Sequence, residues 1–141
     1  MSKVVAILFT GLALLASASH AQPTTSSDLV ASELRMAAGS DALDCGLVRL
    51  GESADNALSC AKNAAGAGRP FWVAIEQLGV DSDVWEGALL THQGFYQVFH
   101  YDSNPYGRAD LWPKIVRETC GTLVFGYDSR EPFSCRYRDE P

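Results

Sequence analysis

The chain is poor in basic residues and in histidine. It has 11 Lys and Arg against 17 Asp and Glu, with 3 His, and a net charge of −6. Such a surface repels nucleic acid and anionic membranes, so we expect neither as a partner. No Cys-x-x-Cys pair occurs, which argues against a zinc site or a thioredoxin-type redox pair. Beyond residue 21 there is also no Gly-x-Ser-x-Gly elbow and no phosphate-binding glycine motif, so we expect no cofactor and no metal.

The N-terminal segment has the pattern of a secretory signal peptide. Lys3 is the only charged residue before Asp28, and residues 4–15 are almost wholly apolar. Small residues follow, which predicts cleavage after Ala21, with an earlier site after Ala18 as the alternative. An N-terminal membrane anchor is the other interpretation, but a spanning helix needs about 20 apolar residues. We therefore expect residues 1–21 to be removed and the product to be periplasmic or extracellular, with no stable membrane insertion.

The remaining residues, 22–141, have the length of one domain. We divide them into an N-terminal segment with a short helix, residues 22–43, and a disulfide-stapled domain, residues 44–141. All four cysteines lie in the second part, and an even number in a small exported chain predicts disulfides. The spacing favours Cys45–Cys60 and Cys120–Cys135, each fifteen residues apart, although crossed pairings stay open.

Turn and capping residues divide the chain into helices and strands. We predict a helix over residues 28–38 capped by Ser27, and a second helix from Ser53 to the glycines at 66 and 68. Residues 110–119 are ambiguous, with a helix starting at Pro113 as one possibility. The predicted strands are residues 45–50, 71–78, 84–91, 95–101 and 123–127.

Short links between the middle strands indicate antiparallel hairpins, because a parallel connection needs a dozen residues or more. The expected fold is therefore α+β: an antiparallel sheet of four to five strands, with two or three helices packed on one face and two disulfides.

Candidate catalytic residues are few. His100 with Asp102 is the best pair for a small hydrolase, although a surface or cross-strand role for His100 is the simpler interpretation. Glu76 and Glu86 are a weaker pair of carboxylates for sugar hydrolysis. Asp81 and Asp83 have turn chemistry and too few neighbouring oxygen ligands for a calcium loop.

Aromatic residues are the best candidates for binding. If several share the outer face of the sheet, they form an exposed apolar surface that can bind a partner. The side chains in question are Trp85, Tyr96, Tyr101 and Tyr106. Residues 102–107 form a strong turn, which is the loop to suspect if the protein is a secreted enzyme inhibitor.

Several short motifs give the chain a resemblance to a known kind of protein. They include Asp44-Cys45-Gly46, Cys60-Ala61, Gly79-Val80-Asp81-Ser82 and Tyr101-Asp102-Ser103, with a late Cys pair. Between residues 44 and 135 the chain resembles small exported bacterial domains of unknown function, including some envelope lipoproteins. It lacks their lipid-attachment cysteine, so the resemblance implies no membrane anchor, and it implies no catalytic residues.

Together these observations predict a non-enzymatic exported domain that binds an unknown protein or envelope component. A small secreted hydrolase using His100 with a carboxylate and a secreted enzyme inhibitor are the alternatives.

Overall fold

The computed structural model describes residues 25–108, 112–126 and 130–137. The predicted signal peptide and its cleavage site lie outside these residues. Two helices and seven strands follow one another along the described chain. They are α1 (Ser26–Ala38), β1 (Leu43–Val48), α2 (Asp55–Gly66), β2 (Phe71–Gln77), β3 (Val84–Leu90), β4 (Tyr96–Asp102), β5 (Lys114–Cys120), β6 (Thr122–Phe125) and β7 (Phe133–Arg136).

Both predicted helices form, with their starts shifted from the expected residues. Thr25, and not Ser27, caps α1: its Oγ1 accepts a hydrogen bond from the Asp28 N–H at 3.2 Å. Gly39 ends α1 with a φ of +106°, a conformation that side-chain-bearing residues rarely adopt. Helix α2 begins at Asp55, whose N–H donates to Ser53 Oγ.

The main sheet has five strands in the order β1-β2-β3-β4-β5. Strands β2 to β5 pair antiparallel as expected, but β1 pairs parallel with β2, so the sheet is mixed and the prediction of a wholly antiparallel sheet was wrong. The reason is the connection between β1 and β2. It carries α2, and a helix-bearing crossover is the connection that parallel neighbours require.

The two helices lie on opposite faces of the sheet, which corrects the expectation that they share one face. Side chains alternate between faces along a strand. In β2, Phe71, Val73 and Ile75 belong to the core cluster that contains α2, whereas Trp72 and Ala74 belong to the cluster that contains α1. We call these the α2 face and the α1 face.

The C-terminal part of the described chain is strand rather than helix. Residues 114–120, where a helix was one possibility, form β5, which pairs with β4 over its whole length. Ile115, Val116 and Thr119 are β-branched, and such side chains favour a pleated strand. The β6–β7 hairpin then packs on the α2 face, where Leu123 and Phe133 join the core.

Both disulfides favoured by the spacing are present. Cys45–Cys60 joins β1 to α2, and Cys120–Cys135 joins the end of β5 to β7. The first therefore fixes the crossover helix to the sheet, and the second holds the hairpin over the α2 face.

Candidate functional site at the end of strands β2 and β3

An open cleft of about 580 Å³ lies where β2 ends and β3 begins. A volume of this order is within the range of ligand-binding clefts. Its wall comes from Leu50 just after β1, from the β2–β3 hairpin and from Arg130 between β6 and β7. The lining residues are Leu50, Glu76, Gln77, Leu78, Val84, Glu86 and Arg130.

Glu76 is held on one side of the cleft by the chain that follows β1. Its Oε2 accepts a hydrogen bond from the Leu50 N–H at 3.1 Å and lies 3.8 Å from Nη1 of Arg49. The Arg49 guanidinium also donates to Ser27 Oγ at 2.8 Å and stacks 5.3 Å from the centre of the Trp85 ring. These contacts fix the Glu76 carboxylate to α1 and β1, so this wall of the cleft is preorganised.

Glu86 forms the second acidic position, paired with His100 across neighbouring strands. The two residues are directly opposite in the β3–β4 register, and His100 Nδ1 lies 2.7 Å from Glu86 Oε1. The His100 side chain is 39% exposed and the Glu86 side chain is 31% exposed, so water reaches both. An exposed pair of this kind contributes about 1 kcal/mol or less to stability.

The same cleft carries apolar side chains that the core does not use. Leu50 is 57% exposed and Leu78 is 83% exposed, and Val84 lies beside them. Single exposed apolar residues are ordinary, but several at one concave site mark a surface suited to a partner. The cleft thus joins an apolar rim to two carboxylates.

Glu76 and Glu86 do not form the facing pair that sugar hydrolysis needs. Glu76 is opposite Trp85, which is in the α1-face cluster, and Glu86 is opposite Ile75, which is in the α2-face cluster. Because opposite residues share a face, the two carboxylates project from opposite faces of the sheet. Carboxylates on opposite faces do not act together as acid and base across one bond.

The predicted pairing of His100 with Asp102 is replaced by the pairing with Glu86. Asp102 Oδ1 instead accepts a hydrogen bond from the Asn104 N–H at 2.9 Å, which stabilises the turn after β4. Asp83 has a similar structural role, because its carboxylate accepts a hydrogen bond from Ser26 Oγ at the start of α1. His92 is exposed at the end of the β3–β4 hairpin.

The four predicted binding aromatics do not form one surface. Trp85 and Tyr101 are buried in the α1-face cluster, because α1 covers the sheet there. Tyr96 is half-buried on the α2 face and donates its hydroxyl hydrogen bond to the Ala65 carbonyl oxygen. Tyr106 is exposed in the turn after β4. The burial of Trp85 and Tyr101 removes them from any partner-binding surface.

Sequence reasoning singled out Glu76 and Glu86 but missed the apolar rim. Leu78 comes directly after β2 and Leu50 comes two residues after β1, and nothing in their local pattern separates an exposed leucine from a buried one.

Within the described ranges, no cluster of three or more His, Cys, Asp or Glu side chains is arranged to hold a metal ion. No helix among the described residues is long and apolar enough to cross a membrane. The chain matches no protein-family model, no curated protein and no solved structure. The resemblance to small exported bacterial domains therefore stays a prediction.

Proposed function

We propose that the chain is an exported, disulfide-stabilised binding domain that captures a segment of another protein in the cleft between β2 and β3. Two features support export: the signal-like residues 1–21 and the presence of two disulfides, which persist in oxidising compartments. The location that follows is periplasmic or extracellular. The expected partner is a protein, which includes a protein component of the cell envelope.

The observation that carries the binding proposal is the exposed apolar rim beside fixed carboxylates. Leu50 and Leu78 lie on the cleft wall that holds Glu76, whose position is set by Arg49. A preorganised site loses less conformational freedom on binding than a mobile one. The chemistry favours a segment that places an apolar side chain against the rim and a Lys or Arg near Glu76, whose carboxylate accepts the Leu50 N–H.

The two rim leucines determine how much the affinity for a bound segment should fall when they are replaced. Full burial of a leucine side chain stabilises a complex by about 1.5–3 kcal/mol, which is roughly a ten- to hundredfold change in dissociation constant. Since Leu78 is almost fully exposed in the unbound domain, its contact area is available to a partner. Replacing both rim leucines is therefore the sharpest perturbation of the site.

The test is selection of binding peptides from a random 12-residue phage library on oxidised residues 22–141. We expect the enriched peptides to combine an apolar residue with Lys or Arg. Their dissociation constants, measured by fluorescence polarisation, should rise at least tenfold for the Leu50→Ser/Leu78→Ser variant. The matched control is Met36→Ser, which replaces an exposed apolar residue of α1 outside the cleft and should leave the affinity unchanged.

Two results would overturn the proposal. One is a library that yields no enriched sequence in repeated selections. The other is a set of peptides that bind the rim variant as tightly as the unaltered domain, which would place their site elsewhere.

A second function has one specific observation in its favour, the His100–Glu86 pair. A histidine oriented by a carboxylate is the acid–base half of many hydrolases. Among the described residues, however, Glu86 is the one side chain hydrogen-bonded to His100, so no Ser, Thr or Cys side chain is bonded to it. A panel of ester, peptide and glycan substrates tests this: turnover that His100→Ala abolishes would favour the hydrolase, and turnover that persists would exclude His100 as its base.

A further inference from the structure

Strand β5 is one of the two outer strands of the five-stranded sheet. It pairs with β4 on one side, and no other strand in the described part of the chain pairs with its outer edge. Residues 116–119 and Lys114 are all exposed. An outer strand presents unpaired backbone N–H and C=O groups, which are a template for pairing with another chain.

The side chains of β5 divide between the two faces of the sheet. Ile115 packs against the α1-face cluster, so Lys114, Val116 and Glu118 lie on the α2 face. Val116 is 42% exposed, and neither Lys114 nor Glu118 forms an ion pair with any residue that the structure describes. Opposite charges four residues apart thus flank an exposed apolar residue.

We propose that β5 pairs antiparallel with β5 of a second copy of this chain, about a two-fold axis at Val116. In this register Val116 meets its own counterpart. Lys114 lies opposite Glu118 of the second copy, and the two-fold axis repeats that contact. Opposite charges directly across an antiparallel pair stabilise it, and like charges destabilise it. The same patch on both copies makes the interface self-complementary.

Neighbouring registers are less favourable. A register centred on Arg117 places this residue against its own counterpart, and one centred on Ile115 pairs Lys114 with Val116 and leaves the opposite charges unmatched. The register at Val116 also places Trp112, which is 90% exposed, opposite Cys120 of the second copy. This gives the largest exposed apolar side chain next to β5 a surface to contact.

Two reciprocal charge reversals test the register. Oxidised residues 22–141 are studied by sedimentation velocity over a concentration series, as unaltered protein and as the variants Lys114→Glu and Glu118→Lys. Each reversal replaces two opposite-charge contacts by two like-charge contacts and should raise the dimer dissociation constant about tenfold or more. Mixed in equal amounts, the two variants should form a heterodimer, because each then supplies the charge that the other lacks.

Controls separate this effect from damage to the fold. Lys114 lies opposite Asp102 within its own sheet, so thermal unfolding of each variant is measured in parallel. Arg69→Glu reverses a charge on an exposed turn away from β5 and should leave dimerisation unchanged. Val116→Lys, at an exposed position, gives a second disruption by placing two like charges at the axis.

The proposal is overturned if the unaltered domain stays monomeric at every concentration, or if folded Lys114→Glu and Glu118→Lys proteins fail to associate when mixed. None of the described cleft-lining residues belongs to β5. Peptide binding and dimerisation can therefore fail independently.

Discussion

Gly87 in β3 lies on the face of the sheet that helix α1 covers. A methyl group at this position would lie 3.4 Å from both terminal carbons of Leu34 and 3.0 Å from the Val73 carbonyl oxygen. Leu34 is fully buried, and it belongs to the same cluster as Trp85 and Tyr101. An added methyl group would therefore meet Leu34 at about contact distance and the Val73 carbonyl oxygen more tightly.

Gly87→Ala should destabilise the domain by about 1–2 kcal/mol. Overpacking of a filled core costs roughly 1–3 kcal/mol. Part of that loss is offset, because alanine restricts the unfolded chain and stabilises by about 0.4–1 kcal/mol. Leu34→Ala alone should cost about 2–5 kcal/mol, since it leaves a cavity under α1.

The two changes should not be additive. With Leu34 shortened, the added methyl group enters the space that the leucine leaves, so the double variant should be about 0.5–1.5 kcal/mol more stable than the sum predicts. The Val73 carbonyl contact limits this recovery, because the backbone oxygen does not move with Leu34.

Urea unfolding of oxidised residues 22–141 measures the three free energies, with tryptophan fluorescence as the signal because Trp72 and Trp85 are buried. The control is Gly66→Ala at the end of α2, where an added methyl group meets nothing within 4 Å; this change should be neutral or slightly stabilising. If Gly87→Ala is as stable as the unaltered protein, the overpacking argument is wrong. If its effect adds fully to that of Leu34→Ala, the strain comes from the Val73 carbonyl oxygen and not from Leu34.

Three further predictions concern the two disulfides, the C-terminal end of α1 and export. Replacing both cysteines of either disulfide by alanine should lower the free energy of unfolding in urea by about 3 kcal/mol, because each disulfide joins residues 15 apart in sequence. A loss below about 1 kcal/mol would contradict the chain-entropy account. Gly39→Ala should lower the free energy of unfolding by about 1–2 kcal/mol, because the φ of +106° disfavours alanine and the added methyl group would overlap the His92 ring. An unchanged urea midpoint would show that residue 39 does not have this positive φ at the end of α1. Expressed with residues 1–21, the exported product should begin at Gln22 by intact mass, and a full-length mass would contradict cleavage there.

The local signals in the sequence were sufficient for most of the elements. Capping residues and glycines indicated both helices, and the Gly- and Asp-containing turns indicated the hairpins of β2, β3 and β4. Equal cysteine spacing indicated both disulfides. Each of these features depends on residues close together in the chain, where propensity and turn chemistry act directly.

The arrangement of the elements was harder to predict, although one segment contained the signal. Residues 71–75, Phe-Trp-Val-Ala-Ile, are apolar without alternation, and a strand of this kind is buried on both faces. The prediction of helices on one face overlooked that run. It therefore left Trp85 and Tyr101 on an open surface, where they were expected to bind a partner. The apolar rim depends on residues distant in sequence, so no local pattern could assemble it.

Burial of the central strands on both faces also determines where this domain can bind. Helix α1 covers one face of β2 and β3, and α2 with the β6–β7 hairpin covers the other, so a partner reaches the sheet at the ends of its strands or along an outer strand. The cleft occupies one end, and β5 is an outer strand whose Lys114 and Glu118 form no ion pair with a residue that the structure describes. Of the two outer strands, β1 is irregular between Asp44 and Leu47, and such a bulge disfavours pairing with another chain. Strand β5 pairs with β4 without interruption, which makes it the better template for a second copy.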